Sequence, residues 1–278
     1  EDTTMEYISL NNGVKMPILG YGVYQVTKEE CERCVLDALK VGYRAIDTAQ
    51  SYFNEEEVGN AIQKSGIPRE EIFLTTKVWV EHYGYEEAKK SVLESMKKLK
   101  TDYLDLVLLH QPFSDAYGAY HALEDLYDEG KIRAIGASNV TEDIIKGYCS
   151  LGQLDVIQEK YSILDSHIRS ELAQVCEENK VSIQAYSPLE QGLLTGKVKA
   201  DVKLAKGDVR NRNRFFSPEN LPKVMRLLEH WKPLCLKYNC TMSNLVIACT
   251  AKTIDGLHVL CGARKPEQIR DNSGALLL

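Results

Sequence analysis

Short apolar runs alternate with longer amphipathic stretches along almost the whole chain, and this alternation sets the expected architecture. Apolar segments at 18–21, 44–48, 72–77, 103–109, 132–137, 156–161, 181–186 and 257–260 read as strands. Between them, apolar residues recur at helical spacing over 28–41, 55–64, 85–99, 116–129, 142–151, 166–179, 222–238 and 242–253, with a further helix opening at Pro266. The punctuation agrees: Thr27 stands where a helix cap belongs, and Gly42 and Gly130 stand where helices stop. Runs such as Leu104-Asp105-Leu106-Val107-Leu108-Leu109 are too continuously apolar for a sheet with one wet face. The strands are therefore expected in a parallel sheet covered on both sides. Eight strands, each followed by helix, predict a (β/α)8 TIM barrel occupying 1–278 as a single domain, near the roughly 250 residues usual for that fold. Residues 6–17 alternate about Asn11-Asn12-Gly13, which predicts an amino-terminal β-hairpin ahead of the barrel. An open doubly wound sheet is the alternative, but no GxGxxG follows the first strand. One long insertion, 188–218, breaks the rhythm.

Composition narrows the partners. The formal charge of −6 comes from 34 basic and 40 acidic residues spread through the chain without a charged tail, which favours a small-molecule partner over nucleic acid or a membrane surface. No apolar run approaches the roughly 20 residues of a membrane span, and the first residues lack the layout of a signal peptide, so a cytoplasmic location is expected. The eight cysteines are scattered, mostly beside apolar residues, and are expected to be reduced and buried. Cys31-Glu32-Arg33-Cys34 has CxxC spacing but lies in a helix with no second ligand pair, so its expected role is structural.

In a barrel of this kind the working residues sit at the carboxyl ends of the strands. That rule selects Asp47, Lys77, His110 and the pair Ser138-Asn139, all polar residues directly after apolar strands, with Tyr52 five residues beyond Asp47. Singly each has a plain structural explanation, Lys77 as a solvated strand end and His110 as a turn cap. Together they make a proton-delivering site. An ammonium at Lys77 should favour the Tyr52 phenolate and so make the phenol a better acid, and Asp47 should keep the lysine charged. His110 would orient a carbonyl oxygen beside the phenol. The set contains no metal ligand cluster, and a hydride must come from elsewhere.

These residues sit in motifs that resemble the aldo-keto reductase family over nearly the whole chain. The matching runs are Asp47-Thr48-Ala49 with Tyr52, Glu55 and Val58-Gly59; Thr75-Thr76-Lys77-Val78-Trp79; Leu108-Leu109-His110; and Gly130 through Asn139. The amino half resembles the branch of diketogluconate reductase and prostaglandin F synthase, whereas the stretch from Tyr161 onward is similar to another branch. The resemblance implies Tyr52 as general acid, Lys77 and Asp47 as its tuners, His110 as substrate positioner, and reduced nicotinamide as hydride donor. It further implies that Ser138, Asn139 and Gln158 bind the carboxamide and that Tyr186 stacks on the nicotinamide. Gly22, Val23, Tyr24 and Asp47 would border the cofactor. Ser187, Leu189 and Gly192 would hold the pyrophosphate, and Gly262, Arg264, Gln268 and Asn272 the adenosine end. Arg264, beside Lys265, implies NADPH rather than NADH.

Tyr24, Trp79 and Phe113, with His110, would by position line an aromatic pocket for aldehydes or small ketones. Between Lys197 and Arg214 the insertion holds seven basic residues against Asp201 and Asp208, and is expected to fold over the cofactor phosphates and to order when they bind. The chain stops at Leu276-Leu277-Leu278, where the resemblance implies a further helix and a pocket-closing loop; a sequence cut short is expected or, if the end is the chain's own, a pocket open on one side. A monomer is expected. The competing readings are a cofactor-binding auxiliary subunit with little turnover and a metal-dependent barrel hydrolase.

Overall fold

The computed structural model describes residues 5–278. Its first elements are β1 (Tyr7–Ser9) and β2 (Lys15–Pro17), antiparallel with Tyr7 opposite Pro17 and Ser9 opposite Lys15. The barrel follows in chain order: β3 (Leu19–Gly22), α1 (Lys28–Val41), β4 (Ala45–Asp47), α2 (Glu55–Ser65), β5 (Phe73–Val78), α3 (Tyr85–Lys98), β6 (Leu106–Leu109) and α4 (Ala116–Asp128). The second half continues with β7 (Ile135–Ser138), α5 (Glu142–Leu151), β8 (Val156–Lys160), α6 (His167–Glu171), α7 (Ala173–Glu178) and β9 (Ser182–Tyr186). After the insertion come α8 (Leu221–Tyr238), α9 (Met242–Ala251), β10 (His258–Gly262) and α10 (Pro266–Ser273). The eight strands β3 to β10 are parallel, each beside the next, and β10 closes on β3 through Val259 to Gly262 against Leu19 to Gly22. This is the (β/α)8 barrel with its hairpin.

Strand alternation sorts the side chains into two cores. Ile46, Leu74, Val107, Leu109 and Ile157 face the helices in one large cluster. Ala45, Phe73, Leu106, Leu108 and Val156 fill the barrel's interior, together with Leu10 and Met16. The hairpin thus plugs the amino end of the barrel, and burying two such side chains is worth about 1.5–3 kcal/mol each. One layer higher, the same inward register carries Asp47, Lys77, Gln158 and Gln184, all buried. The interior is apolar below and polar above, which places the chemistry at the carboxyl end.

Two details depart from the sequence pattern. The helix expected over 166–179 is two short helices meeting at Leu172, where φ opens to −117° while the chain keeps helical bonds, the Leu172 N–H to the Ile168 carbonyl at 2.9 Å and the Cys176 N–H to the Leu172 carbonyl at 3.0 Å. The strands expected from 103 and 132 begin later, because Leu104 and Ile132 share only an isolated bridge. Asp105 just above it is spent on the Leu74 N–H (2.8 Å) and on Arg69 (2.9 Å). Among the described residues, no helix is long and apolar enough to cross a membrane.

The α2–α3 contact is close enough to test. A Cβ added at Gly59 would lie 2.8 Å from backbone atoms of Leu99. Backbone cannot step aside as a side chain can, so Gly59→Ala is expected to lower stability by about 1–3 kcal/mol. A denaturant midpoint equal to wild type would show that the two helices separate freely.

Candidate active site

Every barrel strand delivers one of the anticipated residues to the same rim. Gly22 ends β3, Asp47 ends β4, Lys77 lies near the end of β5 and His110 follows β6. Ser138 ends β7, Gln158 is on β8, Tyr186 ends β9 and Gly262 ends β10. Tyr52 arrives on a single 3-10 turn, Gln50–Tyr52, closed by Phe53 at φ 57°. Gln50 fixes that turn: its oxygen accepts the Trp79 N–H at 3.0 Å, and its amide donates to Ser91 (3.1 Å) and Ser95 (3.2 Å). Asn54 anchors the following residues to the carbonyls of Val23 and Val26, each at 3.1 Å. Sequence reasoning placed Gln50 and Asn54 beside Tyr52, with Asn54 near a helix start, but gave neither a role in the site, because both read as ordinary loop polar residues until their partners are seen.

The centre is a buried lysine with three acceptors. Lys77 Nζ pairs with Asp47 and donates to the Thr48 carbonyl at 3.0 Å and to the Tyr52 hydroxyl at 3.1 Å. Burial works against the lysine's charge, but the Asp47 carboxylate and the hydrogen bonds to Asp47 and Tyr52 outweigh it and hold Lys77 above the usual ammonium range. Asp47 has a second partner, the Gln158 amide at 2.8 Å, and that amide's other N–H goes to Gln184 at 2.8 Å.

At Tyr52 the expected pull is present but is outweighed. Burial pushes the hydroxyl above the usual phenol value, and the Lys77 ammonium, which draws it toward phenolate, only partly opposes this. Tyr52 is a neutral phenol that keeps its proton. His110 is equally clear. Burial and the nearby Lys77 charge push its imidazole down to about 3, so it is neutral at physiological pH. Its ring meets Tyr52 edge-on at 5.9 Å and Trp79 at 5.2 Å, with Ser51 Oγ 3.5 Å from Nδ1.

The aromatic wall is partly assembled. Tyr24, 61% exposed, packs 5.4 Å from Tyr52, and Trp79 lies beside His110. Phe113 lies on the loop after β6 and is 55% exposed, and among the described residues no aromatic ring contact links it to the others.

The polar groups opposite Tyr52 form a second set. Ser138 Oγ donates to the Gln158 carbonyl at 2.6 Å, and Asn139 donates from its amide to the His110 carbonyl at 3.0 Å. The Tyr186 hydroxyl donates to Asn139 Oδ1 at 3.3 Å. Both N–H groups of Gln158 are engaged, whereas its side-chain oxygen accepts from no donor among the described residues. An amide oxygen left open to solvent at the rim, beside a serine hydroxyl and a half-buried tyrosine ring, fits a carboxamide on a flat heteroaromatic ring. Beyond it, Ser187, Glu190, Gln191 and Gly192 all have positive φ, forming a tight turn above buried Leu189. Val23 is buried and its N–H is taken by the Asp47 carbonyl at 3.1 Å.

At the far end, Arg264 and Lys265 are exposed just before α10, which also carries Gln268 and buried Asn272. The Arg264 carbonyl is held by Arg33 at 2.8 Å, and the Ala263 carbonyl by the Tyr21 hydroxyl at 2.6 Å. The Arg264 and Lys265 side chains themselves have no acidic partner among the described residues. In the insertion, Arg210 pairs with Asp208 at 2.6 Å and Arg214 reaches Asp165 at 3.8 Å. Lys197, Lys199, Lys203, Lys206 and Arg212 have no acidic partner among the described residues. Cys31 and Cys34 are buried in α1 as free thiols.

The sequence profile of the Aldo/keto reductase family matches residues 18–278. This chain belongs to that family. It is 38% identical over 275 residues to the NADH-specific methylglyoxal reductase of Escherichia coli K12, covering 90% of this chain and 83% of that one. It is 41% identical over 189 residues to the glyoxal reductase of Bacillus subtilis 168, covering 67% and 68%. An aldo/keto reductase crystal structure from Brucella melitensis superposes with a TM-score of 0.78 at 30% identity, over 96% of this chain and 92% of that one. Membership of the family makes this chain an oxidoreductase of carbonyl compounds that uses a nicotinamide cofactor.

Proposed function

We propose that the chain reduces small aldehydes and ketones, 2-oxoaldehydes of the glyoxal type among them, with NADPH, and that Tyr52 is the general acid. The observation that carries this reading is the Tyr52 hydroxyl, neutral and held at 3.1 Å by the buried Lys77 ammonium. A bound nicotinamide supplies the hydride. The chain supplies the proton: Tyr52 O–H faces the carbonyl oxygen and gives up its proton as charge develops there. Lys77, kept charged by Asp47, stabilises the phenolate left behind. Neutral His110 offers an N–H to the same oxygen without competing as an acid. Gln158 Oε1 and Ser138 Oγ would hold the carboxamide, and Tyr186 the ring face. The glyoxal and methylglyoxal activities named for the two bacterial relatives support short, polar substrates.

NADPH is favoured by Arg264 and Lys265, two exposed cations without acidic partners before a helix amino end. The five unpaired cations of the insertion would reach the same phosphates when the loop closes. The Escherichia coli relative is NADH-specific by name, so the preference is the point to test. Wild type is expected to use NADPH at least about tenfold better than NADH in kcat/KM, since a charge-assisted contact contributes about 1.5–3 kcal/mol. Arg264→Ala should remove most of that margin and leave NADH turnover as it was. Equal use of both cofactors by wild type would sink the NADPH assignment while leaving the reductase.

A further inference from the structure

One buried carboxylate serves neither the proton donor nor any ion pair. Glu159 follows Gln158 on β8 and is 6% exposed, on the helix side of the sheet by alternation with Ile157. Its Oε1 accepts the backbone N–H of Val140 at 2.6 Å, and the neighbouring N–H of Asn139 also favours the charged carboxylate. Those are the first residues past β7. Asn139 sits at φ 59°, a left-handed conformation that asparagine tolerates better than other side chains and that turns the chain sharply off the strand. The same Asn139 side chain joins the His110 carbonyl (3.0 Å) to the Tyr186 hydroxyl (3.3 Å). One turn therefore ties the substrate-side histidine to the ring-stacking tyrosine, and Glu159 is the side chain beneath it.

We propose that Glu159 is the positioning residue of the nicotinamide seat: its carboxylate fixes the Asn139–Val140 turn, so that cofactor affinity follows the ionisation of this one group. The inference rests on the reductase reading above and adds a pH control to it. Burial pushes Glu159 up to about 7, with the two backbone N–H groups opposing. The titratable groups facing it are Tyr186 from β9 and Cys176 from α7, each pushed up by burial to about 12 and so uncharged at neutral pH. Among the described residues no cation balances the carboxylate. Above its pKa the carboxylate accepts from the turn, and its charge strengthens that bond. Below it, one oxygen becomes a donor and the turn loses an acceptor. Affinity for the cofactor should therefore fall as the pH falls through neutrality.

The test is an equilibrium titration with NADPH, followed by protein fluorescence at pH 6, 7 and 8, in wild type and in Glu159→Gln. If only the ionised form seats the cofactor, a pKa of about 7 makes the wild-type Kd rise about tenfold from pH 8 to pH 6. The variant should be flat across that range and should bind, even at pH 8, at least as weakly as wild type does at pH 6. The cofactor's own phosphate titrates in both proteins, so only the difference between them counts. In steady state the loss should fall on the KM for NADPH and not on kcat. An identical pH dependence in the two proteins overturns the proposal. So does a variant that loses stability and kcat together while its pH profile is unmoved, for that is a purely structural role. Failure of wild type to bind NADPH or NADH at any pH overturns the reductase reading itself, a result distinct from binding that ignores pH.

Discussion

Tyr52→Phe is expected to lower carbonyl reduction by about 10²–10⁴-fold while leaving NADPH affinity within about twofold of wild type. The substitution removes one oxygen and little else. The ring keeps its contacts with Tyr24 at 5.4 Å and with His110 at 5.9 Å. Lys77 loses its 3.1 Å partner but retains Asp47 and the Thr48 carbonyl, so the fold should lose no more than about 1 kcal/mol. Without the hydroxyl, neutral His110 cannot take over as acid, because its imidazole is held down at about 3 and carries no spare proton at neutral pH. The wild-type pH profile carries the same signature. Reduction needs the protonated phenol, and burial holds that phenol above its usual value, so the alkaline limb should lie above about pH 10. Steady-state rates with methylglyoxal, together with a fluorescence titration of NADPH, decide the matter. A variant retaining more than about a tenth of the wild-type rate would mean that another group, or water, delivers the proton.

The sequence shows the barrel because a parallel sheet buried on both faces imposes a period on every segment, and that period survives without any knowledge of contacts. Leu106 to Leu109 is a strand whichever helix covers it; Asp47 and His110 stand out because each ends an apolar run, and Lys77 because it is a charge near the end of a strand. What the sequence hides is the balance of opposing terms at one point in space. The effect of Lys77 on Tyr52 was visible as a pairing of residue types, but the burial that outweighs it depends on how the rim packs. Loop electrostatics fail for a similar reason. Seven cations in the insertion look equivalent along the chain, yet Arg210 folds back on Asp208 and Arg214 reaches Asp165 across the loop. Gln184 and Glu159 lie between the two cases. A glutamine between Ile183 and Ala185 breaks an apolar strand, and inward alternation would have set it beside Gln158, where it accepts that residue's N–H at 2.8 Å. Glu159 follows Gln158 directly and reads as an ordinary strand end until the turn it holds is seen.

Lys77→Met is the second large effect, and it separates holding the fold together from doing chemistry. Lys77 is 1% exposed and Asp47 3%, so removing the ammonium leaves a buried carboxylate whose remaining protein donor is the Gln158 amide at 2.8 Å. Breaking a buried pair from one side costs about 3–5 kcal/mol, most of it the uncompensated charge and not the lost contact. Replacing both members is a different perturbation. In Asp47→Asn with Lys77→Met the charge disappears from both sides, the amide can still meet Gln158, and most of the stability should return. Turnover should not return, because no ammonium remains to stabilise the Tyr52 phenolate as its proton leaves. Chemical unfolding of wild type, the two single variants and the double variant gives the coupling directly, and steady-state reduction on the same four proteins gives the other axis. Stability and activity recovering together would mean that the pair acts only as scaffold. Stability recovering alone assigns the buried charge to catalysis, and explains why a barrel interior that is apolar from Leu10 to Leu108 carries a lysine one layer above.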